Sequence, residues 1–161
     1  MSEPHTVLNE LSADEARAAL TRCCGSARWV AGMLALRPWP STVALLADAA
    51  LVWGGLARND YLEAFQHHPR IGVRGNDVWA RQEQARTDEA KADTMRMLQD
   101  ANDRYFEQYG YIFIVCATGK TADEMLGLLQ GRLGNDPLRE LATAAGEQAK
   151  ITELRLRKLA S

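Results

Sequence analysis

One short run dictates much of what the rest of this chain must be. Tyr111-Ile112-Phe113-Ile114-Val115-Cys116-Ala117 is continuously apolar, rich in β-branched side chains, and bounded by Gly110 and Gly119. Periodicity alone does not fix the state of so short a run, but its composition favours extended backbone. Elsewhere helix signals dominate, so an extended segment here has no sheet to join. Its amides and carbonyls then need other partners, such as neighbouring helix ends, water or a polar ligand.

The helix signals are specific. Ser12-Ala13-Asp14-Glu15 reads as a capping box, after which Ala16, Leu20 and Cys23 or Cys24 share a face, with Gly25 ending or bending the helix. Ser41 caps a second apolar helix through Leu45, Leu46 and Trp53, closed by Gly54-Gly55. Asn59 starts a short helix that ends near His67, because the residue before a proline is biased away from the α region. Ile71 to Asp77 reads as a loop, and helix resumes from Trp79 to Gln84. A long amphipathic segment from Thr87 to Tyr109 places Met95, Leu98, Tyr105 and Tyr109 on its apolar side. Thr121-Ala122-Asp123-Glu124 is a second capping box, and Asp136-Pro137 opens a last helix carrying Leu138, Leu141, Ile151, Leu154 and Leu159. The expected fold is all-α: a single-domain helical bundle over residues 1–161 with one short extended apolar segment.

Composition narrows the function. With 161 residues, 47% hydrophobic and 25% charged, the chain is an ordinary globular domain and not a disordered segment. A net charge of −2 without a basic block argues against a nucleic-acid partner. No apolar run reaches the roughly 20 residues that cross a bilayer, and Met1 to Leu11 lacks the pattern of a secretory signal. Cys23, Cys24 and Cys116, an odd count with a vicinal pair, fit reduced thiols in the cytoplasm. His5, His67 and His68 are the only histidines and show no zinc-ligand spacing, so no metal site is expected.

His68-Pro69 carries the strongest chemical signal. An imidazole exchanges protons near neutral pH, and the proline restricts the backbone that presents it. The bland reading is a surface or packing histidine, and His67 beside it leaves open which ring matters. Glu83-Gln84 pairs a carboxylate with an amide, which suits a ligand rich in N–H and C=O groups, such as a urea or a lactam. The same residues also fit the solvated helix face Arg81-Gln82-Glu83-Gln84-Ala85-Arg86. Arg132 and Arg155 lie among leucines on the late helices. Each is either a snorkelling side chain or a guanidinium that reaches a pocket and holds a substrate carboxylate.

Taken together, these pieces resemble the 2-oxo-4-hydroxy-4-carboxy-5-ureidoimidazoline (OHCU) decarboxylases, which finish urate breakdown to (S)-allantoin. The shared residues are Cys24-Gly25-Ser26 with Arg28-Trp29, His68-Pro69-Arg70-Ile71-Gly72, Glu83-Gln84, Asn102-x-x-Tyr105, and Tyr109 through Ala117. Gly119-Lys120, Arg132-Leu133-x-Asn135 and Lys150-Ile151-x-x-Leu154-Arg155-Leu156 continue the series in the same order. The resemblance implies an all-α, homodimeric, cofactor-free enzyme acting on a small ureidoimidazoline. It implies His68 as the catalytic histidine, with Pro69 beside it and Glu83 sharing the chemistry. It assigns Gln84 and Arg155 to substrate binding, with the backbone of Phe113, Ile114, Val115, Cys116 and Ala117 lining the pocket. The family's Ser-x-x-Glu-Gln motif falls on Ala80 to Gln84, so Ala80 lacks the hydroxyl that the pattern calls for. A ureide-ring hydrolase and a non-catalytic helical interaction module are the competing readings.

Overall fold

The computed structural model describes residues 2–69 and 92–160. Among the described residues there are eight helices and no strand: α1 Pro4–Glu10, α2 Ala13–Cys23, α3 Ala27–Ala35, α4 Thr42–Gly54, α5 Arg58–Gln66, α6 Ala92–Tyr109, α7 Ala122–Arg132 and α8 Pro137–Lys158. The expected Ile71–Asp77 loop, the Trp79–Gln84 helix and the start of the segment from Thr87 lie outside the described residues.

Short polar side chains at the helix starts answer amide groups that the first turn leaves without partners. The Ser12 hydroxyl accepts the Glu15 amide at 3.1 Å while the Glu15 carboxylate accepts the Ser12 amide at 3.2 Å. Thr121 and Glu124 repeat this reciprocal pair at the start of α7. Ser26, Ser41 and Asp136 cap α3, α4 and α8 through single bonds of 3.0–3.2 Å. Two helices were not legible beforehand. α1 begins with proline at its first position and has no side-chain cap. α3 starts directly after Gly25, so the glycine that ends α2 obscures the Ser26 start signal. At α5 the start lies earlier than Asn59. Ala57 is the cap residue, and the Asp60 carboxylate accepts its amide at 3.0 Å.

The chain forms two compact units, Met1–His67 with Gln148–Ser161, and His68–Glu147. α8 therefore begins in the second unit and ends in the first. In the first unit Trp29, Leu8, Leu20, Met33, Leu45, Phe65 and Leu156 are fully buried. Trp29 also donates its indole N–H to the Ala49 carbonyl at 3.1 Å, satisfying the one polar atom it brings inside. Arg37 donates to the carbonyls of Leu8 and Leu11, both at 2.8 Å, where α1 ends.

The second unit buries Leu98, Tyr105, Ile114, Met125, Leu129 and Ala144. Residues 111–117 pass through it as neither helix nor strand. The flanking Gly110 and Gly119 have φ of 84° and 80°, a region that side chains with a Cβ rarely adopt. Arg132 donates to the Ile114 carbonyl at 2.5 Å and to Glu140 Oε2 at 2.8 and 2.5 Å. Its guanidinium also lies 4.4 Å from the centre of the Phe113 ring. Tyr105 donates its hydroxyl to Glu140, and Asn135 donates to the other carboxylate oxygen at 3.0 Å. Burial, reinforced by the bond to Glu140, pushes the Tyr105 phenol far up, so it stays a neutral donor. Leu138, in the first turn of α8, is 82% exposed, while Glu140 is fully buried.

An ion pair this deeply buried is costly to break from one side, because the remaining charge loses its partner. Glu140→Ala is expected to destabilise the protein by about 3–5 kcal/mol. Tyr105→Phe, which removes one hydroxyl, should cost about 1–3 kcal/mol. Urea unfolding followed by circular dichroism checks both, and equal losses would refute the placing of the ion pair at the centre of the network.

Candidate active site

His68 stands where α5 stops. The helix ends at Gln66, and His67 closes it with its amide bonded to the Ala64 carbonyl at 3.1 Å. Pro69 cannot donate a backbone hydrogen bond and disfavours the α conformation at His68, so the chain must leave the helix here. His68 and Pro69 are half-buried, whereas His67 is exposed. The imidazole singled out by its proline is thus also the more sheltered of the two. Glu83, Gln84 and Ala80 lie outside the described residues.

Arg155 occupies the last part of α8 and is only 6% exposed, which removes the snorkelling alternative. It donates to the Arg22 carbonyl at 3.2 Å. That carbonyl belongs to the last turn of α2, where intrahelical partners run out and the helix dipole favours a cation. Cys24 sits within the influence of the same guanidinium. Burial pushes its thiol up to about 11, against the opposing effects of the Ser26 backbone, the Thr152 hydroxyl and Arg155. It therefore remains an uncharged thiol at neutral pH. Gln148 donates to the Thr152 hydroxyl at 3.0 Å, and both are buried. Gln148, Thr152 and Arg155 follow a spacing of four and three, which puts them on one face of α8.

The apolar run holds Phe113, Ile114, Val115 and Cys116 buried and Ala117 half-buried. Side chains satisfy three of the backbone polar groups that the sequence left unexplained. Arg132 takes the Ile114 carbonyl, Glu147 accepts the Cys116 amide at 3.0 Å, and Lys120 donates to the Cys116 carbonyl at 2.8 Å. Arg132, considered beforehand as a pocket cation, is thereby committed to Glu140 and to this backbone. Glu140 and Glu147 were missed altogether. A signal for Glu140 was present: it shares the helical period of Ala144, Gln148 and Ile151, and an acidic residue in such a stripe needs a cation.

Among the described residues no group of three or more histidine, cysteine or acidic side chains could hold a metal ion. No described helix is long and apolar enough to cross a membrane.

Comparison with known proteins is specific. The model of the OHCU decarboxylase family matches residues 9–157. The Uric acid degradation bifunctional protein of Arabidopsis thaliana is 38% identical over 147 residues, covering 86% of this chain and 45% of that protein. The chain thus spans less than half the length of that relative. The 2-oxo-4-hydroxy-4-carboxy-5-ureidoimidazoline decarboxylase of Amia calva is 40% identical over 58 residues, covering 36% of this chain and 33% of that protein. A crystal structure of OHCU decarboxylase in the presence of (S)-allantoin superposes with a TM-score of 0.78 at 36% identity, covering 86% of this chain and 94% of that one. With its family match running nearly from end to end and its helices arranged as in that crystal structure, the chain belongs to the OHCU decarboxylase family.

Proposed function

We propose that this chain, acting as a single catalytic domain in the cytoplasm, decarboxylates 2-oxo-4-hydroxy-4-carboxy-5-ureidoimidazoline stereospecifically to (S)-allantoin without a cofactor. The observation that carries the reading is the family match over residues 9–157, inside which His68-Pro69 terminates α5. The substrate supplies its own electron sink. The carbon bearing hydroxyl and carboxylate adjoins an imine carbon, so the bonding pair released with carbon dioxide forms a carbon–carbon double bond, the imine pair moves onto its nitrogen, which takes up a proton, and an enol is left. A proton must then reach the former imine carbon from one face only, while the enol hydroxyl gives up its own proton and becomes the carbonyl.

The residues divide this work by their chemistry. His68 serves as general acid–base, a role that contributes about 10²–10⁴-fold. Arg155 holds an anionic group of the substrate by charge-assisted hydrogen bonds. Glu83 and Gln84 fix the hydroxyl and ureido groups, and the Phe113–Ala117 backbone lines the pocket. Ala80 offers no hydroxyl, so water or another group takes over that contact, or it is lost. His68→Asn should abolish stereospecific turnover and keep the helical far-ultraviolet spectrum. Carbon dioxide release and the circular dichroism of the allantoin formed give the readout. Undiminished activity would sink the assignment, and ring opening without carbon dioxide release would favour a ureide hydrolase.

The enzyme acts as a homodimer in this reading. Support comes from α4, whose sequence is apolar nearly all round although Val43 is 79% and Leu51 74% exposed. Ala47, Ala50 and Gly54 are also exposed and extend the stripe along one side. Leu51→Arg is expected to yield a folded monomer in sedimentation equilibrium. A variant that dimerises like the parent would exclude this face.

A further inference from the structure

The turn from Cys24 to Arg28 meets α5 in a regular order. Arg28 pairs with Asp60 at 3.2 Å, and the Ala27 amide donates to Glu63 at 3.0 Å. A Cβ added to Gly25 would lie 2.3 Å from both Cγ and Cδ2 of His67. Asp60, Glu63 and His67 are spaced by three and four residues, so these contacts run down one face of α5 to the residue just before His68. The last contact is the most demanding. Clashing atoms at the base of the imidazole mean that the whole ring would have to swing away, and only glycine lets it lie against the turn. Cys24, the next residue of the same turn, sits beside Thr152 and Arg155 on α8. One short turn thus fixes the end of α5 and adjoins the buried guanidinium.

We propose that Gly25 and His67 are positioning residues for His68, the His67 ring resting on Gly25 to set the direction in which the chain leaves α5. The inference rests on the decarboxylase reading above. His67 exchanges no proton with substrate; its ring acts as a spacer. The contact is independent of any ligand, so it orients the backbone of His68 before substrate arrives. Small misplacements of a catalytic group reduce the chemical step more than binding.

The test compares Gly25→Ala, His67→Ala and the double variant in the full chain. Each single change should lower kcat about 10–100-fold while KM stays within about twofold. Because the two changes remove one contact, the double variant should be no worse than the poorer single variant. Imidazole NMR should show the His68 signals displaced in both single variants, which needs no turnover. Wild-type kcat in either single variant, losses that multiply in the double variant, or unmoved His68 signals would each overturn the proposal. Should the parent release no carbon dioxide, the activity reading fails alone, and the NMR comparison still decides this one. If Gly25→Ala does not fold, Glu63→Ala loosens the neighbouring contact in its place. There a loss of kcat restored by Glu63→Gln, which keeps the acceptor oxygen, supports the proposal, and an unchanged kcat overturns it.

Discussion

A backbone carbonyl that leaves water must be bonded to something, and at Ile114 it is bonded by the guanidinium of Arg132. That contact orders much of the second unit. The guanidinium can be buried there only because Glu140 neutralises it, and the Glu140 carboxylate is completed by Tyr105 and Asn135. Aromatic rings close over the pair, with Phe113 beneath the guanidinium and Tyr109 packed on Tyr105. An apolar run without a sheet thus becomes part of a core because charged residues from α7 and α8 stand in for the missing strands. Such a network is stable only when complete, since a half-satisfied buried charge costs more than an apolar core.

The first unit solves a related problem at its helix ends. Arg37 bonds carbonyls where α1 ends, Arg155 bonds one where α2 ends, and Glu63 takes an amide where α3 begins. Each of these side chains comes from a different element than the one it caps. Capping therefore doubles as tertiary attachment. Arg155, to which the proposed function gives substrate binding, is held at one such end.

The family assignment follows from the order of motifs along the chain and is matched over residues 9–157. Physical chemistry explains why the motifs hold together. Cys24-Gly25-Ser26 is a turn with three separate duties: Cys24 adjoins Arg155, Gly25 receives the His67 ring, and Ser26 caps α3. Tyr105, Tyr109, Arg132 and Asn135 form one hydrogen-bonded group with the carbonyls around it. Several residues that look like candidates for chemistry are thus occupied in holding the frame.

The sequence by itself determined whatever depends on near neighbours. Capping boxes at Ser12 and Thr121, the Ser41 cap, the Asp136-Pro137 start and the break at His68-Pro69 are interactions within a turn, so a few adjacent letters specify them. The proline also restricts the backbone at His68 by a local steric rule, while the choice of His68 over His67 rests on the family resemblance. The α1 and α3 helices, by contrast, lacked a clear local signal, because one is short and uncapped and the other follows a glycine directly. Only the tertiary structure decided the partners of buried charges. Arg132 and Arg155 both lie on late helices with leucine close by, yet one is tied to Glu140 and the Ile114 carbonyl while the other meets the end of α2. Nor could the letters reveal that Gly25 faces His67 across more than forty residues, since that contact depends on how α5 packs and not on its composition. A charge or a glycine is legible as a residue type, but its task is set by whatever the fold brings within a few ångströms of it.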